Sequence, residues 1–78
     1  MKETIKKYFR VDRSKIHLLR SILEGYNGMA VLRTVDSRQG LVVLYIAPGC
    51  EEEIGKILVG LREEIRIEAA PVVERGDI

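Results

Sequence analysis

The stretch Gly40-Leu-Val-Val-Leu-Tyr-Ile-Ala-Pro-Gly49 decides the fold, because it places seven consecutive apolar residues between a glycine and a Pro-Gly pair. A short apolar run bounded by turn residues, with two valines and an isoleucine, is typical of a β-strand. Successive side chains of a strand point to opposite faces, so both faces of this strand are apolar. A sheet with one face in water normally alternates apolar and polar residues. The sequence therefore predicts that something covers the second face.

The residues before this strand predict that it is the second half of a β-hairpin. Residues 29–35 form another apolar-rich run, and the polar stretch Asp36-Ser-Arg-Gln-Gly40 between the two runs is typical of a hairpin loop. We expect Val35 opposite Leu41, which gives one largely aliphatic face and places Arg33 on the other. A register shifted by one residue would bury Arg33 under a helix, which costs several kcal/mol unless the charge is paired, roughly 3–5 for a broken buried pair. The aliphatic face comprises Ala30, Leu32, Thr34, Val42, Leu44 and Ile46.

Two helices and two further strands are predicted around the hairpin. Residues 4–11 alternate well enough for a first strand, although Lys7 interrupts the apolar side. A first helix, capped by Asp12 or Ser14, runs to about Tyr26. A second follows Pro48-Gly49-Cys50, begins with three glutamates and contains Gly55 and Gly60, which we expect to permit close packing. Its predicted buried residues are Ile54, Ile57, Leu58, Leu61 and Ile65.

The order strand, helix, strand, strand, helix, strand predicts an α+β fold, the ferredoxin-like βαββαβ sandwich. Its four-stranded antiparallel sheet has the order 4-1-3-2, with two helices on one face. The last strand covers about residues 66–73, and Pro71 favours an edge position for it. We expect residues 1–74 to form a single domain and residues 75–78 a flexible tail.

The face of the sheet without helices, hereafter the open face, is predicted to be too apolar to remain in water. We expect it to expose about 400–500 Å² of apolar surface, and covering this would contribute on the order of 10 kcal/mol before association costs. A second copy of the chain, packed about a two-fold axis, is the predicted cover. The alternative is a monomer in which the tail and the stems of Tyr and Arg partly cover this face. The predicted dimer interface comprises Tyr8, Val31, Arg33, Val35, Leu41, Val43 and Tyr45.

Composition excludes several classes of protein and site. The 78 residues carry 13 Lys and Arg against 12 Asp and Glu, a formal net charge of +1, so a bulk attraction to nucleic acid or anionic membrane is not indicated. With one cysteine, Cys50, and one histidine, His17, the chain alone makes neither a disulfide nor the usual zinc site. No apolar run has the roughly 18–20 residues of a membrane span. We expect a cytoplasmic protein without cofactor, metal or catalytic residues, and therefore not an enzyme.

Single-stranded nucleic acid is the alternative partner for the open face. The fold resembles RRM domains in its strand and helix order, and these stack bases on aromatic residues of the first and third strands. Tyr8 and Tyr45, with the basic residues Lys6, Arg10 and Arg33, fit that pattern in part. The remaining aromatic positions of the third-strand motif are aliphatic here. Nucleic-acid binding is therefore the second hypothesis, and the first is a homodimerising regulatory or interaction module that can sense a small ligand.

Several stretches resemble known families. They are Tyr8-Phe-Arg-Val-Asp12, Ile22-Leu-Glu-Gly-Tyr-Asn-Gly28, Val31-Leu-Arg-Thr-Val-Asp36 and Ala47-Pro-Gly49 before the acidic helix. Together they resemble a short bacterial family described only as a domain of unknown function, over about residues 8–65. More remotely, the pattern looks like an ACT domain, a regulatory module that dimerises and binds amino acids. This resemblance implies a small-molecule site at the dimer interface, where the residues of one strand–helix junction face those of the next loop: Asp12, Arg13, Ser14, Asn27 and Gly28.

Overall fold

The computed structural model describes residues 4–26 and 28–70 of the chain. Within them the chain forms four strands and two α-helices, in the predicted order, with one 3₁₀ turn at Arg13–Lys15. The elements are β1 (Ile5–Val11), α1 (Ile16–Glu24), β2 (Ala30–Asp36), β3 (Leu41–Ile46), α2 (Glu51–Leu61) and β4 (Ile67–Ala69).

The four strands form one antiparallel sheet in the order β2-β3-β1-β4, which is the predicted order 4-1-3-2 read from the other edge. Both helices contribute to a single core with the strand residues of one face. The predicted ferredoxin-like α+β architecture is therefore confirmed. β4 lies at an edge of the sheet, as the proline after it predicted.

The core lies between the helices and one face of the sheet, hereafter the covered face. From β3 it takes Val42 and Leu44, whose side chains are completely buried. Leu19 and Leu23 of α1 recur at helical spacing and pack on the same side, so α1 is amphipathic. Burying one such side chain contributes about 1.5–3 kcal/mol. The core is the main source of stability in so short a chain.

The hairpin keeps the predicted faces but not the predicted pairing at its end. Thr34 lies opposite Val42, whereas Asp36, and not Val35, lies opposite Leu41. Val35 is the extra residue of a β-bulge. The cause is the side chain of Asp36, whose Oδ1 accepts hydrogen bonds from the backbone N–H groups of Arg38 at 2.9 Å and Gln39 at 3.4 Å. These bonds close the turn one residue later than the pattern of the sequence indicated.

Gly40 fixes the hairpin against β1. Its φ of +70° lies in the left-handed region that favours glycine. Its carbonyl accepts a 2.8 Å hydrogen bond from the N–H of Val11. A Cβ at this position would lie 2.0 Å from the carbonyl oxygen of Val11. Both the backbone conformation and the close approach of β1 therefore require glycine here.

The helices are shorter than predicted. Asp12 accepts a hydrogen bond from the N–H of Ser14 and begins the 3₁₀ turn before α1, which ends at Glu24 and not at Tyr26. Ile65 is buried as expected, but it lies beyond the end of α2 at Leu61.

The interpretation of the α2 glycines as close-packing positions is wrong, because a Cβ at Gly55 or Gly60 would meet nothing within 4 Å. The predicted last strand extends past Ala69 into residues that lie outside the described part of the chain, as does the predicted tail.

Candidate functional site

Strand β3 has apolar side chains on both faces, and its two faces have different surroundings. Leu41 and Val43 alternate with the core residues Val42 and Leu44, so they point to the open face. Tyr8 and Arg33 lie directly opposite Val43 on the two neighbouring strands, and Val31 lies opposite Tyr45. The structure therefore brings six of the seven predicted interface residues to one surface. Val35, the seventh, lies in the bulge and has no partner on β3.

The expectation that Leu41 and Val43 are exposed in a single chain is wrong. Leu41 is 9% exposed and Val43 only 3%, although both helices pack on the other face. The neighbours of Val43 are Tyr8 and Arg33, whose long side chains have apolar stems. Arg10 lies opposite Leu41, and its Nη2 donates to Oε1 of Gln39 at 3.4 Å. Amphipathic neighbours, as the alternative interpretation proposed, can therefore cover part of this face.

The apolar surface that remains on the open face is smaller than predicted and lies towards β2. Val31 is 55% exposed, and Val35, in the bulge at the end of β2, adds a side chain beside this face that is 36% exposed. Tyr45, opposite Val31, is half-buried, and the Nζ of Lys6 lies 5.9 Å from the centre of its ring. This distance is at the outer limit of a cation–π contact.

Basic side chains surround this apolar surface. Lys6, Arg10 and Arg33 belong to the open face, since they lie opposite Tyr45, Leu41 and Val43. Glu68 of β4 lies opposite Arg10, and its Oε2 is 3.6 Å from Nε of Arg66. The open face thus combines two tyrosines, a few aliphatic side chains and an excess of positive charge.

The residues of the predicted small-molecule site are largely occupied by contacts with one another. Asp12 Oδ1 accepts from the hydroxyl of Ser14 at 2.8 Å and from its N–H at 3.0 Å. These two hydrogen bonds, with smaller contributions from the charges of Lys15 and Arg66, hold the pKa of Asp12 below its ordinary value. Arg13 Nη1 donates to the carbonyl of Arg38 at 3.4 Å. The carboxylate and the guanidinium therefore serve the local turn and the hairpin.

Within one chain, the predicted site does not come together. Asp12 precedes α1 and Gly28 follows it, so the nine residues of the helix, about 13 Å in length, separate them. Gly28 has a φ of +76° and serves the turn into β2. Asn27 lies outside the described residues. A ligand that touched both groups would need a second copy of the chain, as the resemblance to ACT domains implied.

The remaining candidates for chemistry are accounted for by structure. Cys50 precedes α2 without a side-chain cap hydrogen bond, and it packs half-buried against the core. Among residues 4–26 and 28–70, no three His, Cys, Asp or Glu side chains come together as they would around a metal ion. In the same residues, neither helix has the length and hydropathy that a membrane-spanning segment needs.

Sequence reasoning missed a cavity beside α2. It is lined by Lys7 and Gly55, among others, and both residues had a visible signal in the sequence. Lys7 interrupts the apolar side of the first strand, and Gly55 costs about 1 kcal/mol in a helix interior relative to alanine. The sequence gives no reason to connect Lys7 with Gly55. Only the packing of β1 beside α2 brings the two residues to one cavity.

The comparison with protein families matches most of the chain. The family model described as "Domain of unknown function (DUF4911)" matches residues 9–65, nearly the whole of the range 8–65 over which the sequence resembles such a family. No curated protein and no solved structure gives a significant match. The remote resemblance to ACT domains stays an interpretation of the sequence. The match spans β1 from Phe9, both helices and the hairpin, and the chain therefore belongs to the family of the domain of unknown function DUF4911.

Proposed function

We propose that this domain is an interaction module that forms a homodimer through its open face. The observation that supports this most is the composition of β3, in which Leu41, Val43 and Tyr45 give the strand a second apolar face away from the helices. The exposed Val31 extends that surface towards the edge of the sheet. Tyrosine and arginine, which surround it, are enriched at protein interfaces. The proposal assigns no catalytic step to the domain.

The exposed apolar area indicates a weak dimer. Leu41 and Val43 are already buried, so Val31, Val35 and Tyr45 leave on the order of 200 Å² per copy, worth about 5 kcal/mol per copy at 25 cal/mol per Å². Two copies give about 10 kcal/mol, against association costs of about 4–15 kcal/mol. The favourable balance is at most about 6 kcal/mol, so we expect a dissociation constant no tighter than about 4 × 10⁻⁵ M, which permits exchange of subunits.

The charges of the open face predict how the dimer responds to salt. A two-fold contact brings Lys6, Arg10 and Arg33 of both copies to one interface, and like charges repel. Salt screens such repulsion, since the Debye length falls from about 10 Å at 0.1 M to about 3 Å at 1 M. Higher ionic strength should therefore tighten the dimer.

Light scattering after size exclusion, over a range of loading concentrations, tests the proposal. The expected result is a mass that rises from one chain towards two, and that rises further in high salt. Val31→Lys should restore the monomer without loss of fold, because this side chain is exposed in the single chain. Leu18→Lys is the matched control, since Leu18 is an exposed apolar residue on α1. A constant single-chain mass, or equal effects of the two variants, would refute the proposal.

Single-stranded nucleic acid is the second candidate, favoured by the placement of Tyr8 and Tyr45 on the two central strands of the open face. These rings lie diagonally to each other, because Tyr8 pairs with Val43 and Tyr45 with Lys6. Rings beside basic residues can stack bases and contact phosphates.

The test of this candidate is fluorescence anisotropy with a labelled oligonucleotide, in which binding should weaken as salt rises. Tyr45→Ala should weaken it roughly tenfold, from the loss of about 1–3 kcal/mol of stacking. The salt dependence is opposite in sign to that of the dimer, so one series separates the two candidates. Absence of binding at low salt would exclude the nucleic acid.

A further inference from the structure

A cavity of about 210 Å³ lies between α2 and β1, on the covered side of the sheet. Its buried lining is apolar and includes Ile46, Ile54 and Leu58, with the half-buried Phe9 beside them. Its rim carries three charged side chains, the exposed Lys7 of β1, the half-buried Glu51 at the start of α2 and the exposed Arg62 just after its end. The exposed Val59 adds an apolar position to the same rim.

Lys7 lies on the covered face of the sheet, where a lysine is unexpected. It lies opposite Leu44, which is completely buried, and it shares the covered face with Phe9 and Val11. A charged side chain among core positions is costly unless it reaches water. Lys7 is nevertheless exposed, because the cavity opens beside it. The cavity therefore places a cation at the edge of an apolar recess.

Gly55 is the second exception, and it lines the same cavity. Glycine inside a helix lowers stability relative to alanine, yet no atom lies within 4 Å of the place where a Cβ would be. Packing within the chain therefore does not require it. Glu51, Gly55, Leu58 and Arg62 all line the cavity and follow the spacing i, i+4, i+7, i+11 of one helix face. Gly55 thus belongs to the face that bounds the cavity, and a side chain there would narrow the space.

We infer that this cavity binds a small carboxylic acid with an aliphatic or aromatic body. Its volume corresponds to roughly seven water molecules of ~30 Å³ each, which suits a ligand of about seven to ten non-hydrogen atoms. The apolar lining accepts the body of such a ligand. Lys7 and Arg62 give the rim two positive charges against the one negative charge of Glu51. Within residues 4–26 and 28–70, neither Lys7 nor Arg62 forms an ion pair, so no carboxylate of these residues competes with a ligand for the two cations.

Two chemical classes of ligand carry such a carboxylate, α-amino acids and simple carboxylic acids, and they differ in what they offer to Glu51. An α-amino acid would present an ammonium group to this carboxylate, and a simple carboxylic acid would leave it in water. The inference does not depend on the dimer, because the cavity lies on the opposite side of the sheet from the open face.

An NMR titration of the ¹⁵N-labelled full chain tests the inference. The probes are leucine, 4-methylpentanoate and the neutral 4-methylpentan-1-ol, which share one branched skeleton. We expect saturable amide shifts at Gly55 and Phe9 with at least one of the two acids, and at least about fivefold weaker binding of the alcohol. The acid that binds more tightly shows which of the two chemical classes the cavity prefers. No saturable shift with either acid up to about 20 mM, or equal binding of the alcohol, would overturn the inference.

Variants of the two α2 glycines provide a matched control. Gly55→Ala and Gly60→Ala should both raise the Tm, by about 4–8 °C, because alanine favours the helix and neither Cβ meets another atom. Gly60 does not line the cavity, and it lies about 140° around the helix from Gly55. Only Gly55→Ala should weaken binding of the acid, by about fivefold or more, and Gly55→Leu should abolish it. Equal affinities of the Gly55→Ala and Gly60→Ala proteins would refute the site.

Lys7→Gln tests the role of the charge. It should leave the Tm nearly unchanged, since Lys7 is exposed, and it should weaken binding of the acid by about fivefold. It should not change the affinity for the alcohol. Loss of affinity for both probes alike would indicate altered packing and contradict recognition of a carboxylate.

Discussion

The two faces of β3 differ in what covers them, although their composition is nearly the same. Val42 is completely buried beneath the helices, whereas its neighbour Val43 is 3% exposed on the open face, between Tyr8 and Arg33. The first kind of cover is a rigid, close-packed core. On the second face, the cross-strand neighbours are Tyr8 and Arg33, long side chains with polar ends that can move aside. An apolar strand residue can therefore be buried in one chain and still belong to a surface that binds a partner.

The largest difference between the faces should come from the same substitution at both valines. Val42→Lys places a charge in the core and should cost about 5 kcal/mol, close to the whole stability of a small domain. Val43→Lys should cost about 2 kcal/mol, because its ammonium group can reach water past Tyr8 and Arg33. Urea unfolding followed by circular dichroism measures both. Equal losses of unfolding free energy would show that the surroundings of Val42 and Val43 are equally rigid.

A second prediction concerns Gly40, which holds the hairpin against β1 and so fixes which residues face which way. Gly40→Ala should destabilise the fold by about 3 kcal/mol, because the new Cβ would collide with the carbonyl of Val11. Gly28→Ala is the matched control, since Gly28 has a similar φ of +76° and no atom within 4 Å of its Cβ position. It should cost only about 1 kcal/mol. Thermal unfolding of the two variants gives the comparison, and similar losses would contradict the role of the close approach.

A third prediction removes part of the cover of the open face. Arg33→Ala shortens the side chain beside Val43 and removes one positive charge from each copy. We expect a loss of about 0.5–1 kcal/mol of stability together with a dimer that is about three- to tenfold tighter. Sedimentation equilibrium measures the association. A weaker dimer would contradict the interpretation that Arg33 covers the contact surface and repels its copy.

The smallest effect concerns Asp12, which caps the turn that leads into α1 and so supports the covered face. Ser14 lowers the pKa of this carboxyl. Its contribution to stability is therefore present above the ordinary carboxyl pKa and is lost as the pH falls through the lowered value. The Tm of the native chain should exceed that of Asp12→Ala at pH 7, and the two should converge as the pH falls from the ordinary carboxyl pKa of 3.8 through the lowered value. A constant difference across this range would show that the charge of Asp12 is not responsible.

Local pattern was sufficient to predict the order of the elements, the strand order and the division of the hairpin into two faces. The apolar run of β3 and the helical spacing of Leu19 and Leu23 determine these features. The bulge at Val35 was missed, because the hydrogen bonds of Asp36 to the turn compete with simple pairing. The helix ends were also placed too late: α1 ends at Glu24 with Gly25 as its C-cap, and α2 ends at Leu61 although the apolar Ile65 continues its helical spacing.

The sequence predicts on which face of the sheet each site residue lies, but it predicts the neighbours of that residue less well. The burial of Val43 depends on which residues of β1 and β2 lie beside it, and this follows from the register and not from β3 alone. The cavity beside α2 depends on the packing of two distant segments, so Lys7 and Gly55 were visible only as separate exceptions.

Chemical shifts of the ¹⁵N-labelled chain, recorded while the protein is diluted from about 1 mM to about 20 µM, test the role of the open face most directly. The account predicts that the amide signals of Val31, Val43 and Tyr45 move on dilution and that those of the outer surface of α1 do not. Signals that stay fixed throughout, with the mass of one chain at the highest concentration, would contradict it.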